Sequence, residues 1–248
     1  TAGQLTVGNY TVGANNVSVT NTTNFNSNVH IVGSYEVTPK SVTVGATGLS
    51  KVYDGNTTMT NLSLAPVGLV TPAATYVTDV VNLLGTGVYD DKNVTGSANK
   101  GYTLNGLRLT GTDARNYVLT NGVTMNAISS QTGNTGEVTP RTLLVTYGGV
   151  DKVYDGTINA TTNIAGVTNA VLVAGGMLAG DNVTVAATGT FADKNAATGK
   201  TVAVSGITLG GADASNYVLA SNTASTTADI SQASISTVTG ITAANKVY

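Results

Sequence analysis

An all-β protein made of tandem β-sandwich domains is what this sequence predicts, on three observations. Its longest motifs return at a period of about 100 residues, the size of a whole domain and not of a solenoid rung. Within each period apolar residues alternate at spacing two, as on a strand with one buried face. The composition, with 30 Gly, 11 Tyr and neither Trp nor Cys among 248 residues, suits strands joined by tight turns and suits helices poorly.

The repeat sets the domain organisation. Lys51-Val52-Tyr53-Asp54-Gly55 returns as Lys152-Val153-Tyr154-Asp155-Gly156, and Lys246-Val247-Tyr248 begins it a third time. Asp91-Lys92-Asn93 returns as Asp193-Lys194-Asn195. Gly111-Thr112-Asp113-Ala114-Arg115-Asn116-Tyr117 returns as Gly211-Ala212-Asp213-Ala214-Ser215-Asn216-Tyr217. The linker recurs as well, as Val37-Thr38-Pro39-Lys40 and Val138-Thr139-Pro140-Arg141. These landmarks define two complete sandwich repeats, 38–138 and 139–232. Residues 1–37 are expected to be the C-terminal part of a preceding repeat, and 233–248 the first strand of a following one. The sequence thus reads as a piece of a longer array.

Each repeat has strand periodicity throughout. Val42-Thr43-Val44, Val183-Thr184-Val185 and Val202-Ala203-Val204 alternate at period two. In Tyr102, Leu104, Leu107 and Leu109 the apolar parity switches at Asn105-Gly106; Val202, Val204, Ile207 and Leu209 switch in the same way at Ser205-Gly206. A β-bulge would do this, because one extra residue returns the following side chains to the buried face. Seven to nine short strands per repeat fit an Ig-like sandwich.

Charge and cofactor chemistry narrow the function. Only 10 % of residues are charged and the formal net charge is −2, so there is no basic footprint for nucleic acid and no polybasic segment for a membrane surface. No apolar run is long enough for membrane insertion as a helix. The lack of Cys favours a bacterial over a eukaryotic secreted module. His30 is the single histidine and has no copy in the repeats, so a nucleophile–base set cannot be assembled and the chain reads as a non-enzyme without cofactor.

The recurring residues are read first as structure. Asp54-Gly55 and Asp155-Gly156 are turn signals, since Gly accepts positive φ. Tyr53 and Tyr154 are expected to pack inward with the hydroxyl on a loop carbonyl, as in a tyrosine corner. Lys51 with Asp54 and Lys152 with Asp155 are expected to pair. Asp113 and Asp213 are expected to cap a short helical turn ahead of a strand that begins at Tyr117 or Tyr217, with Asn116 and Asn216 in the turn. Two functional readings stand beside these. Asp91 with Asp113, and Asp193 with Asp213, are calcium candidates, because calcium takes six to eight oxygens. Lys51 or Lys152, desolvated beside Asp or Asn, is a candidate for a covalent side-chain cross-link.

The ordered set Lys-Val-Tyr-Asp-Gly, Asp-Lys-Asn and Gly-x-Asp-Ala-x-Asn-Tyr resembles the YDG repeat of bacterial adhesins, which is related to the mostly bacterial Ig-like domains. The resemblance covers both complete repeats. It implies a filamentous-haemagglutinin-type exoprotein, exported by two-partner secretion to the cell surface and used in adhesion or biofilm. On that reading these repeats are a stalk whose partners are neighbouring repeats of the same chain, while host or matrix glycans are met by other regions. The alternative is that the repeats themselves bind a glycan or protein receptor.

Overall fold

The computed structural model describes residues 5–12, 33–71, 78–120, 129–166 and 176–248, and among these there is no α-helix. The chain is all-β and sandwich-type. It divides into two compact units: Thr1–Lys51 with Asn56–Val138, and Val52–Gly55 with Thr139–Tyr248. One break falls between Val138 and Thr139. Residues 52–55, which the repeat register assigns to the first copy, belong to the second unit.

In the first unit the strand Lys40–Thr47 lies between Ser63–Val67, to which it is antiparallel, and Tyr117–Leu119, to which it is parallel. A four-stranded sheet runs Ser50–Val52, Ser129–Thr139, Lys100–Thr110, Asn82–Tyr89. Both sheets supply the core: Val42 and Leu119 from one, Leu83, Leu104, Leu107 and Leu109 from the other, all buried. The expected bulge is present. Leu84 pairs with Arg108 and Thr86 with Asn105, so two residues, Gly106 and Leu107, oppose Gly85 alone. Gly106 takes φ +64°, which absorbs the extra residue and turns Leu107 and Leu109 inward. A further hairpin pairs Gly8–Thr11 with Ser34–Val37.

The second unit repeats this plan with a five-stranded sheet, Lys152–Val153, Ala224–Ser231, Ala197–Gly210, Thr184–Phe191, Asn159–Ala160. Its bulge at Gly206, φ +62°, again turns Ile207 inward. Where the first unit has one strand, Lys40–Thr47, the second has two, Arg141–Leu143 and Thr146–Gly149. The first of these runs parallel to Tyr217–Leu219 and the second antiparallel to Thr162–Gly166. Residues 233–248, expected to form a strand, carry none. A strand exists only where a ladder does, and among the described residues none pairs with them.

The two cores differ by compensated volume. Lys100 pairs with Gly136 in one sheet and Lys200 with Ala228 in the other, which puts Tyr102 in register with Val202. A methyl on Gly136 would stand 2.8 Å from the Tyr89 ring and 3.2 Å from the Tyr102 ring. The second unit has room for that methyl because Val202 replaces the ring, and Phe191, Val202, Ala228 and Ile230 form one cluster.

Candidate functional site

The Lys-Val-Tyr-Asp-Gly loop has one conformation in both copies. Gly55 and Gly156 have φ +78° and +77°, the left-handed turn that Asp-Gly signals. The lysine ties the loop closed from inside. Lys51 Nζ donates to the Asn56 and Thr58 carbonyls at 2.7 and 3.0 Å and sits 5.6 Å over the Tyr89 ring. Lys152 Nζ donates to Asp155 Oδ1, Thr157 O and Asn159 O, each at 2.9 Å, and sits 5.5 Å over the Phe191 ring. The Lys152 ammonium and the Thr157 amide hold the Asp155 carboxyl down at about 2.

Tyr53 is fully buried within the second unit, and its hydroxyl donates to Asp181 Oδ2 at 2.9 Å. The expected loop carbonyl is replaced by a carboxylate 128 residues away in sequence. A phenol donates more strongly to a charged acceptor, and only the folded chain brings the two together. Tyr217 donates to the same Asp181 Oδ2 at 2.6 Å and receives the Leu178 N–H at 2.9 Å. The two rings meet edge to face with centroids 5.5 Å apart. Burial, and then the Asp181 carboxylate, push the Tyr217 phenol up to about 12. Tyr154, by contrast, is 38 % exposed.

The first unit builds the matching pair. Tyr117 donates to Asp79 Oδ2 at 2.5 Å and receives the Val70 N–H at 3.0 Å, and burial raises its phenol. Just before each tyrosine a single 3-10 turn, Ala114–Asn116 or Ala214–Asn216, follows the aspartate. Asp113 and Asp213 stand at the N-cap positions, yet their side chains make no cap bond to that turn. Instead Asp113 Oδ2 accepts the Val80 N–H and Asp213 Oδ2 accepts the Asn182 N–H, both at 2.8 Å. The backbone returns the bond, from Asp113 N to Val80 O and from Asp213 N to Asn182 O. Each aspartate therefore clamps two segments instead of capping one. The glycine ahead of it is needed for the approach: a methyl on Gly111 would stand 2.2 Å from Val80 O. Asn116 Oδ1 accepts the Val7 N–H, and Asn216 is buried.

Asp91 and Asp193, offered as calcium candidates, each pair with a lysine. Lys100 Nζ lies 2.5 Å from Asp91 Oδ1 and Lys200 Nζ 2.6 Å from Asp193 Oδ1. These ammonium groups, with the Asn93 and Asn195 amides, lower both carboxyls. Among the described residues no three carboxylate or imidazole groups converge on a metal-sized site. Of the two lysines offered for a covalent cross-link, Lys152 makes an ion pair with Asp155 at 2.9 Å and Lys51 binds the Asn56 and Thr58 carbonyls. His30 lies outside the described residues.

Sequence reasoning missed Asp79, Asp181, Lys100 and Lys200. Each recurs, but as a lone letter: Asp79-Val80 against Asp181-Asn182, and Asn99-Lys100-Gly101 against Gly199-Lys200-Thr201. A gap-tolerant alignment of the two copies would have found them.

The YDG domain family profile matches residues 38–125 and again 139–227. No curated protein and no solved structure matches the chain. With both copies of the motif set folded into sandwich-type units and the family profile covering most of the sequence, the chain belongs to the YDG domain family.

Proposed function

We propose that these two YDG units are non-catalytic spacer repeats of a large secreted bacterial surface adhesin, supporting adhesion or biofilm outside the cell. One observation carries this reading: the recurring charged residues named below make their bonds within their own units. Lys152 closes its loop, Lys100 and Lys200 neutralise Asp91 and Asp193, and Asp113 and Asp213 clamp backbone amides. A residue whose hydrogen-bonding capacity is satisfied inside the fold has little left for a ligand. A low-charge surface and repetition at domain scale suit a module whose role is length. Its partners on this reading are other repeats of the same protein. A glycan array and a cell-binding assay with the 248-residue chain test the proposal. No saturable binding is expected. Saturable glycan binding that disappears when one exposed loop is mutated would replace the spacer with a receptor-binding repeat.

A further inference from the structure

The second unit buries a tyrosine in a socket whose parts the first unit also possesses. In the second unit Tyr53 N donates to Thr139 O at 2.9 Å and its hydroxyl donates to Asp181, which Tyr217 also engages. Arg141 reaches the Tyr53 carbonyl at 3.4 Å while its Nε donates to Gly176 O at 2.6 Å. Gly55 lies against Leu178, where an added methyl would stand 3.1 Å from Cδ1. In the first unit Tyr117, Asp79, Val70, Thr38 and Lys40 occupy the places of Tyr217, Asp181, Leu178, Thr139 and Arg141. Their arrangement is the same. Lys40 pairs with Tyr117 in the register in which Arg141 pairs with Tyr217. Tyr117 bonds Asp79 and receives Val70 N–H as Tyr217 bonds Asp181 and receives Leu178 N–H. In the first unit these residues line a cavity of about 440 Å³. That volume falls in the range of small-ligand sites, about 300–1,000 Å³.

The chain also carries a matching plug. The loop at 153–156 has the turn of the loop at 52–55, with Gly156 at φ +77° against +78°. Tyr154 N donates to Ser231 O at 2.9 Å, as Tyr53 N does to Thr139 O. Val153 is 58 % and Tyr154 38 % exposed, whereas Tyr53 is 0 % exposed. The Lys152–Asp155 pair and the Thr157 bonds to Asp155 hold this loop in its turn. A pre-formed loop loses little conformational entropy on docking.

We propose that the first-unit cavity is a receptor for the Val-Tyr-Asp-Gly loop of another YDG repeat. In a solution of this chain that loop is 153–156 of a second copy, its Tyr154 phenol sharing Asp79 with Tyr117. The inference goes beyond the spacer reading and stands whether or not the repeats are spacers. The contact joins unlike surfaces, the loop of one copy and the cavity of the other.

The test uses a fluorescent peptide of residues 150–159 titrated into the full chain carrying Tyr154→Ala, which removes the competing loop. Anisotropy should saturate at one peptide per chain, with amide NMR shifts at Val37, Lys40 and Val70. A peptide with Tyr154→Phe should bind about tenfold more weakly, because the phenol–carboxylate bond is lost. A peptide with Tyr154→Ala should not saturate. These substitutions lie in the peptide and leave the folding of the chain untouched; Asp79→Asn in the chain should weaken binding in parallel. Absence of saturation up to about 1 mM peptide, indifference to Tyr154→Ala in the peptide, or shifts confined to residues away from the cavity would each overturn the proposal.

Discussion

Replacing Tyr53 with phenylalanine removes one hydroxyl, and the structure says which unit loses stability. That hydroxyl donates to Asp181 at 2.9 Å from a residue with no exposed surface. Hydrogen bonds to charged groups contribute about 1.5–3 kcal/mol net. Asp181 keeps its bond from Tyr217 in the variant, so the cost falls at the low end, about 1.5–2 kcal/mol. Tyr53→Ala also deletes the buried ring and its edge-to-face partner, a loss of about 3–5 kcal/mol. At about 4 °C per kcal/mol for a domain of this size, Tm drops by about 6–8 °C and about 12–20 °C respectively. Hydrogen exchange read by mass spectrometry locates the effect. Protection should fall in the strand Ala197–Gly210 of the second unit and hold in Lys100–Thr110 of the first. A repeat-by-repeat reading expects the reverse, since Tyr53 lies in the first copy of the motif. Loss of protection in Lys100–Thr110, or no change in either strand, would refute the reasoning.

Three further outcomes are expected. Gly136→Ala should destabilise the first unit by about 1–3 kcal/mol through overpacking against Tyr89 and Tyr102, and adding Tyr102→Val should recover part of it in a double-mutant cycle by denaturant unfolding. Tyr217 holds its proton to about pH 12 in the folded unit, while an unfolded tyrosine releases it near its ordinary value of about 10. The folded state is then the better proton binder between those values, so this contribution is intact below pH 10 and is lost as pH rises toward 12; tyrosinate absorbance and thermal melts across that window check it. Asp113→Ala or Asp213→Ala should each cost about 1 kcal/mol by freeing the Val80 or Asn182 amide, whereas a calcium chelator should leave both melting transitions where they are.

Much of the fold was legible in the sequence because it rests on local rules. Period-two alternation marks strands, the parity switch at Gly106 and Gly206 marks a bulge, and Asp54-Gly55 and Asp155-Gly156 mark a left-handed turn; each depends on φ preferences and side-chain direction within a few residues. Repetition located the domains for the same reason, since it compares the chain with itself. The partners of the recurring side chains were not legible. Asp79 and Asp181 find their tyrosines 38 and 36 residues away, Tyr53 finds Asp181 across 128, and Lys100 takes Asp91, which the motif offered as a calcium ligand. Such pairings have no sequence period, because loops of different length lead to the same place in space. The tertiary structure alone therefore decided that the tyrosine of one motif copy belongs to the second unit, where a buried phenol needs an acceptor and Asp181 is the carboxylate that the fold brings within reach.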